Sequence, residues 1–524
     1  MKNKSIYKMS RIIFALVIIL GVVIGFDASA KSKKYTVTEF GAVNDGESLN
    51  TLAIQMLIDK ANKKGGGTII FPAGEYLSGS LQMKSNVNLY LEKDAILLGS
   101  TNPYDYPQIE MPGRPELVGR DDNSQMALLV AHKANDFTIS GEGKIDGQGR
   151  ALALTIDSLH HAGELIDPKY STRRNRPHET ARPKLFRFSQ CENVFITDLH
   201  LYNGACWGLS FELCKNLNLD HLKVVNRAYW NNDGMDITDC TNVKISNCDV
   251  NSADDGICLK SYYPGYCNDT ILIENCVIRS SASAIKFGTA SYGGFKNVTI
   301  KNIKVYDTFR SAIAIESVDG GIIENIEVAN IVAENTGNAI FIRLGHRGGE
   351  KPGVVKNIHI HDIKVQVPFG KPDLNYDMRG PAVSFFHNPI PSSISGIPGH
   401  NVEDVVIENV EITCPGRASR GMAYVPLSRL NMVPERIKSY PEFTMFGELP
   451  AWALYVRHAN GITLKNVKLI LENEDYRPAF VFDQVEGIKM DQVELPKTKH
   501  KQVILKDTKS VKLSSPLEGT KRKL

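Results

Sequence analysis

Charge of one sign is what this sequence lacks. Its 61 Lys and Arg face 58 Asp and Glu, a formal net of +3, and even that small excess is local. Residues 1–30 carry Lys2, Lys4, Lys8 and Arg11 against Asp27 alone, so the rest of the chain holds 57 basic and 57 acidic residues. A neutral body excludes a nucleic-acid binder held by its overall field, and an anionic partner must be gripped by a local patch. Glycine (42) and proline (24) are near average usage, which excludes collagen-like and low-complexity chains. No segment after residue 26 is long and apolar enough to span a bilayer as a helix. The nine cysteines are odd in number and show no metal-ligand spacing. Aromatic residues are few, 8% of 524.

The first thirty residues read as an address. Lys2 to Arg11 form a positive stretch, Ile12 to Phe26 an apolar run of fifteen, and Ala28-Ser29-Ala30 a small-residue cleavage site. This is the pattern of a signal peptide cleaved after Ala30, and the run is short for a membrane anchor. No cysteine follows it to carry a lipid. The expected product is secreted or periplasmic, spans 31–524 and is a monomer without an integral membrane segment.

From residue 190 one pattern returns: a turn residue, alternating apolar residues, Asn or Asp, then a second apolar pair. It reads C-E-N-V-F-I-T-D-L-H-L at 191, C-K-N-L-N-L-D-H-L-K-V at 214 and C-T-N-V-K-I-S-N-C-D-V at 240. Later copies are F-K-N-V-T-I-K-N-I-K-V at 295, V-E-D-V-V-I-E-N-V-E-I at 402 and A-N-G-I-T-L-K-N-V-K-L at 459. Their first apolar positions fall at 194, 217, 243, 271, 298 and 322, with longer gaps to 358, 405 and 462. Short alternating strands with a period in the twenties predict an all-β, right-handed parallel β-helix, a solenoid whose narrow core takes Ile, Val and Leu rather than large rings. The long gaps predict loop insertions near 366–400 and 415–455 on a single scaffold, walling off one end of a groove. Ser48 to Ala61 predicts a helix closing the N-terminal end, stopped by Gly65-Gly66-Gly67. Cys191, Cys214 and Cys240 at one phase, and Cys248 and Cys276 at another, predict same-residue stacking; Cys258 and Cys267 are spaced to close a short loop.

The densest acidic group lies in the central coils. Asp233 in N-N-D-G-M-D precedes Asp254 and Asp255 in S-A-D-D-G-I by 21 and 22 residues, close to one period. Neighbouring strands sit about 4.7–4.9 Å apart, so three carboxylates should share one patch and disturb each other's titration. Such a patch suits acid–base cleavage of a glycosidic bond. It also suits a Ca²⁺ site, and Asp and Asn are ordinary turn residues.

Several segments resemble the polygalacturonase family, family 28 of the glycoside hydrolases. T-E-F-G-A-V-N-D-G-E-S at 38–48 and G-G-G-T-I-I-F-P-A-G-E-Y-L-S-G-S at 65–80 resemble its entry module. S-G-E-G-K-I-D-G-Q-G at 140–149 and N-G-A-C-W-G-L at 203–209 resemble further segments. The family's N-T-D signature matches Asn231-Asn232-Asp233, with Thr replaced by Asn, and its Asp-Asp pair matches Asp254-Asp255. The resemblance implies an inverting hydrolase of pectic chains that needs no cofactor or metal. Asp254 would be the general acid, with Asp233 and Asp255 holding and activating water.

The departures narrow the substrate. Ser283 stands at the position of the family's G-H-G histidine, and Ala314-Ile315-Glu316 at its R-I-K. Loss of those basic residues, which help hold galacturonate in polygalacturonases, points to a rhamnogalacturonan-type or branched pectin. The cations left to meet a uronate are Lys260, Lys286, Arg310 and Arg343, with His346 and Asn231 as further substrate contacts. Trp207 reads as loop packing. Two other readings stay open: a Ca²⁺-dependent pectate lyase on the same fold, and a non-catalytic carbohydrate-binding β-helix.

Overall fold

Alternation in the sequence becomes columns of stacked side chains. Val194 pairs in register with Leu217, and the column continues through Val243, Ile271, Val298, Ile326, Ile358, Val405, Ile462 and Ile488. Every member is buried. The computed structural model describes residues 33–118, 124–373, 390–419 and 425–524. The proposed signal peptide and parts of both predicted insertions lie outside the described residues. Within them, strand after strand pairs in parallel from Lys34–Thr36 to Lys521–Lys523, giving the right-handed parallel β-helix expected from the repeat.

One register differs from the sequence reading. The partner of Val298 is Ile326, not Ile322, so this interval is 28 residues rather than 24. Ile322, Ile323 and Ile326 all begin apolar alternations, and the turn at Asn325 decides between them. Asn325 has φ 58°, matching Asn193 (57°), Asn216 (55°), Asn242 (56°) and Asn297 (52°), each one residue before its column member. Asparagine tolerates this left-handed conformation, and its amide donates on one side while accepting on the other. A hydrogen-bonded ladder results: Asn242 donates to Asn216 (2.7 Å), Asn216 to Asn193 (2.8 Å) and Asn193 to Asp136 (2.8 Å). A parallel ladder runs from Asn330 through Asn302 and Asn275.

The cysteines stack as expected. Cys191, Cys214 and Cys240 are buried free thiols, with the Cys214 amide donating to the Cys240 sulfur at 3.3 Å. The Cys258–Cys267 loop closure is not formed: both are free, and the Cys258 thiol meets the carbonyl of Gly288 at 3.1 Å.

The helix Thr51–Lys63 packs Ile54, Leu57, Ile58 and Ala61 inward. A second helix, Gly149–Ala162, was not anticipated, although its buried Leu152, Ala153 and Ile156 carry helical spacing. It is followed by an arginine-bearing loop, 163–183, tied back by the Tyr170 hydroxyl, which donates to Asp157 at 2.7 Å. Residues 425–453 lie over the outer face of one sheet. There Leu430, Val433, Phe443, Phe446 and Leu449 cover Ala314, Phe341, Tyr455, Val481 and Ile504.

Replacing Asn216 tests the ladder. Asn216→Ala loses two ladder bonds and puts at positive φ a residue without asparagine's tolerance of that conformation, a cost of about 2 kcal/mol. Asn216→Gly keeps the backbone but not the bonds, so thermal unfolding should rank wild type, Gly, then Ala. Equal midpoints for Ala and Gly would remove the backbone half of this account.

Candidate active site

The acids stand on one edge of the sheet formed by Leu209–Glu212, Met235–Thr238, Ile257–Ser261 and Ile285–Ser291. The amides of Gly208, Gly234 and Gly256 donate to the carbonyls of Asp233, Asp255 and Ser283, each at 2.9 Å. Asp233, Asp255 and Ser283 therefore occupy one column in successive coils, with Asp254 one residue upstream of its middle member. The glycine after each acid is a steric requirement. A Cβ on Gly234 would sit 2.5 Å from the carbonyl oxygen of Gly256, itself 2.6 Å from Ala284 by the same test.

Asp233, Asp254 and Asp255 are 4, 7 and 6% exposed, so each needs a partner. Lys260 supplies it for Asp233 at 3.0 Å, and binds Asp236 in the same gesture at 2.6 Å. Its ammonium also lies 4.3 Å from the ring centre of Trp207, with Lys184 at 4.4 Å from the same ring. Lys286 meets Asp255 at 3.2 Å and the hydroxyl of Tyr440, from the covering segment, at 3.2 Å. Asp255 also accepts from the Ser283 amide at 3.1 Å. Asp254 accepts from the Asp255 amide at 3.1 Å, and its carbonyl takes the hydroxyls of Ser252 and Ser280, both at 2.6 Å. Asn232, where the signature has Thr, is fully buried and donates to the carbonyls of Gly204 (2.8 Å) and Cys206 (2.6 Å), pinning the turn that presents Asp233.

These surroundings split the column. Burial, reinforced by Asp236, Asp254 and Asp255, pushes Asp233 well above the ordinary carboxyl range despite Lys260. Burial would raise Asp255 too, but Lys286, Lys260 and Arg310 outweigh it and hold this carboxyl below its usual value. Burial pushes Glu316 up to about 8, so this acid is neutral at neutral pH.

The proposed substrate contacts fare unevenly. Lys260 and Lys286 are brought to the acids, but as their buried counter-ions. Arg310 is partly open and pairs with Glu442 of the covering segment at 2.5 Å. Arg343 is corrected: it is 1% exposed, and its guanidinium donates to the carbonyls of Gly396 (2.9 Å) and Glu435 (2.8 Å), seating the covering segment. His346 is half-buried beside the covering segment, its Nε2 at 3.2 Å from the Gly349 carbonyl and its amide donating to the carbonyl of Ile437 at 2.8 Å. Asn231 is engaged by protein, its side-chain oxygen accepting from Arg182 (2.8 Å) and Arg176 (3.2 Å). Trp207 is 6% exposed and packs over lysines.

Sequence reasoning missed Asp236, although strand alternation turns it outward beside Lys260. It also missed the Arg174–Trp230–Arg176 lip. Arg176 lies 4.0 Å and Arg174 5.5 Å from the Trp230 ring centre, and Arg176 is an electrostatic neighbour of Asp254. Nothing in the spacing ties that loop to the acids.

Donor atoms of Asp233, Asp255 and Cys258 converge within 4.8 Å. They suit Ca²⁺ poorly. The ion wants six to eight oxygens, whereas each carboxylate here already holds a lysine and the third donor is a thiol.

The sequence profile of glycosyl hydrolases family 28 matches residues 67–373. The chain belongs to that family. It is a glycoside hydrolase. A profile described as rhamnogalacturonase A/epimerase, pectate lyase-like, matches residues 35–91, where the entry-module resemblance was read. A probable polygalacturonase of Vitis vinifera is 27% identical over 395 residues, 73% of this chain and 70% of that one. The exo-poly-alpha-D-galacturonosidase of Dickeya chrysanthemi is 26% identical over 263 residues, 44% of this chain and 42% of its own. Among solved structures, an exopolygalacturonase from Thermotoga maritima superposes with a TM-score of 0.58 at 19% identity, covering 84% of this chain and 91% of that one. It shares the fold.

Removing the cation that serves two acids should be felt in stability before activity is measured. Lys260→Met leaves Asp233 and Asp236 buried without their partner and should cost about 3–5 kcal/mol in denaturant unfolding. Adding Asp236→Asn should recover part of that loss; no recovery would mean that packing, not the orphaned charge, is responsible.

Proposed function

We propose that the protein is an exported hydrolase that cleaves galacturonosyl linkages in a pectic chain with inversion, acting from chain ends. The observation that carries this reading is the column of Asp233 and Asp255 with Asp254 at its side, each acid held by its own partners. In this reading Asp254 donates a proton to the departing glycosidic oxygen. Asp255, kept ionised by Lys286, takes a proton from the attacking water, and Asp233 with Lys260 helps hold that water. Cleavage balances as one water consumed, with its hydroxyl on the anomeric carbon and its second proton on Asp255.

The substrate is a rhamnogalacturonan-type or branched pectin, in which charged and uncharged sugars meet at the cleaved bond. Two features support this. Ser283 follows Asp255 in the column, and Ala314 follows Lys286, with Glu316 an electrostatic neighbour of that lysine. That flank therefore offers a hydroxyl and a neutral carboxylic acid beside Lys286, fit for sugar hydroxyls and few carboxylates. On the other flank, Arg174 is exposed beside Trp230 and can meet a uronate. Exo action is supported by the covering segment, which reaches Lys286 with Tyr440 and Arg310 with Glu442. The name of the Dickeya relative points the same way. Export rests on the N-terminal pattern; among the described residues no helix is long and apolar enough to cross a membrane.

Mass analysis of products from a panel of pectin fragments should show added water, single-unit release and no unsaturated ends. Unsaturated, chelator-sensitive products would replace the hydrolase by a lyase, and a panel left uncut would sink the substrate assignment. Asp254→Asn should lower turnover by about 10²–10⁴ with binding retained.

The role of Asp255 has its own test. Lys286→Met removes the main charge that lowers its carboxyl, so its pKa rises. The base must be ionised, and the acidic limb of kcat/KM should therefore move to higher pH by about one unit or more. An acidic limb that stays in place would exclude Asp255 as the base.

A further inference from the structure

The zero net charge of residues 31–524 is a sum of unlike parts. Residues 495–524 hold nine basic and two acidic side chains, so this stretch carries +7 and residues 31–494 carry −7. On the outer face of the coils between residues 244 and 468, several surface lysines are neutralised from coil to coil. Lys244 and Lys301 flank Glu274 at 3.1 and 3.2 Å, Lys296 and Lys356 flank Glu324 at 3.4 and 3.3 Å, and Lys364 and Lys468 flank Glu411, both at 3.0 Å. That alternation stops in the final described coil. Lys521 still pairs with Glu518 and Lys506 with Asp483, but Lys499, Lys509, Lys512 and Arg522 have no carboxylate within 4.0 Å among the described residues.

Lysines on an edge strand guard against strand-to-strand aggregation, which accounts for Lys509 and Lys512 on Lys509–Leu513. It does not account for Lys499, His500 and Lys501, which stand in the loop before Val503–Lys506. These three, with Arg522 and the 42% exposed ring of Tyr476, line a cavity of about 600 Å³. Lys499 and His500 also line an adjoining cavity of about 780 Å³. The first cavity lies over Ile504, on the same sheet as the acids and seven strands beyond Ile257–Ser261, or roughly 33 Å. The covering segment stands between the two.

We propose that this basic hollow is a second binding site, taking a stretch of polyuronate chain apart from the cleft. The identity of the ligand rests on the pectic reading above. The chemistry is suited to it: cations spaced along a concave wall meet successive carboxylates, and an aromatic face lies against sugar. The cleft spends Lys260 and Lys286 on its own acids, so a long acidic polymer gains from a grip outside it. A body of −7 with one end of +7 also steers a polyanion to that end. A bilayer of anionic lipid, being flat, would not use the hollow.

The test is a Lys499→Ala/Lys501→Ala/Arg522→Ala variant, made both alone and in the Asp254→Asn protein. Polygalacturonate is the probe and its fully methyl-esterified form the uncharged control. Binding of polygalacturonate at low salt should weaken at least tenfold in both backgrounds, with little change for the ester, while turnover of a short pectic fragment that fits the cleft stays at the parent level. Unchanged binding of polygalacturonate overturns the proposal. So does a variant whose only defects are self-association in light scattering, which means edge protection, or lost binding to phosphatidylglycerol vesicles, which means a membrane site. A pectin panel left uncut alongside charge-dependent binding would count against the hydrolase reading and leave this site standing.

Discussion

Each coil sits one strand spacing, about 4.8 Å, above the last, and the rest of the molecule follows from that distance. Whatever a residue is, its counterpart in the next coil lies against it. Apolar residues gain a continuous core this way, and asparagines a ladder. Charged residues face the opposite situation: a carboxylate repeated at the same place in two coils is a buried repulsion unless something intervenes. On the outer surface the intervening group is a glutamate between two lysines. In the column of Asp233 and Asp255 it is a lysine for each acid, reaching back from a neighbouring position.

The two lysines do not treat their acids alike, and this asymmetry divides the cluster. Lys260 is shared between Asp233 and Asp236, so one positive charge serves two carboxyls and Asp233 stays raised. Lys286 has Asp255 as its carboxylate partner, with a tyrosine hydroxyl as second contact, and Asp255 is lowered. Two acids a coil apart are thus pushed to opposite protonation habits, which in the proposed mechanism leaves Asp255 as the ionised base and Asp233 as a holder of water, the acid being Asp254.

Much of the scaffold was legible because the left-handed turn before each column residue favours asparagine, which marks the copies directly. The slip at Ile322 arose where three isoleucines competed and only Asn325 separated them. The acids were legible for the same reason, being one period apart. Their partners were less so. Alternation turns Lys260 and Arg343 outward alike, but outward means cleft for one and buried floor for the other, because Arg343 lies beneath a segment whose Glu435 is 92 residues downstream. No local pattern carries such a contact. The neutral charge count misled in a similar way, since a sum over the chain hides where its parts sit.

The ladder continues where the chain does not keep count. Asn242 and Asn216 are 26 residues apart and Asn466 and Asn409 are 57 apart, yet the amides bridge at 2.7 and 2.8 Å. Coil spacing is thus metered by contact between asparagines, not by the length of chain between them. Closing a longer loop costs little more than closing a short one. A solenoid built this way can lengthen, exchange or reshape the segment over its cleft without re-registering a single strand. Specificity and scaffold are then separate inheritances within one chain.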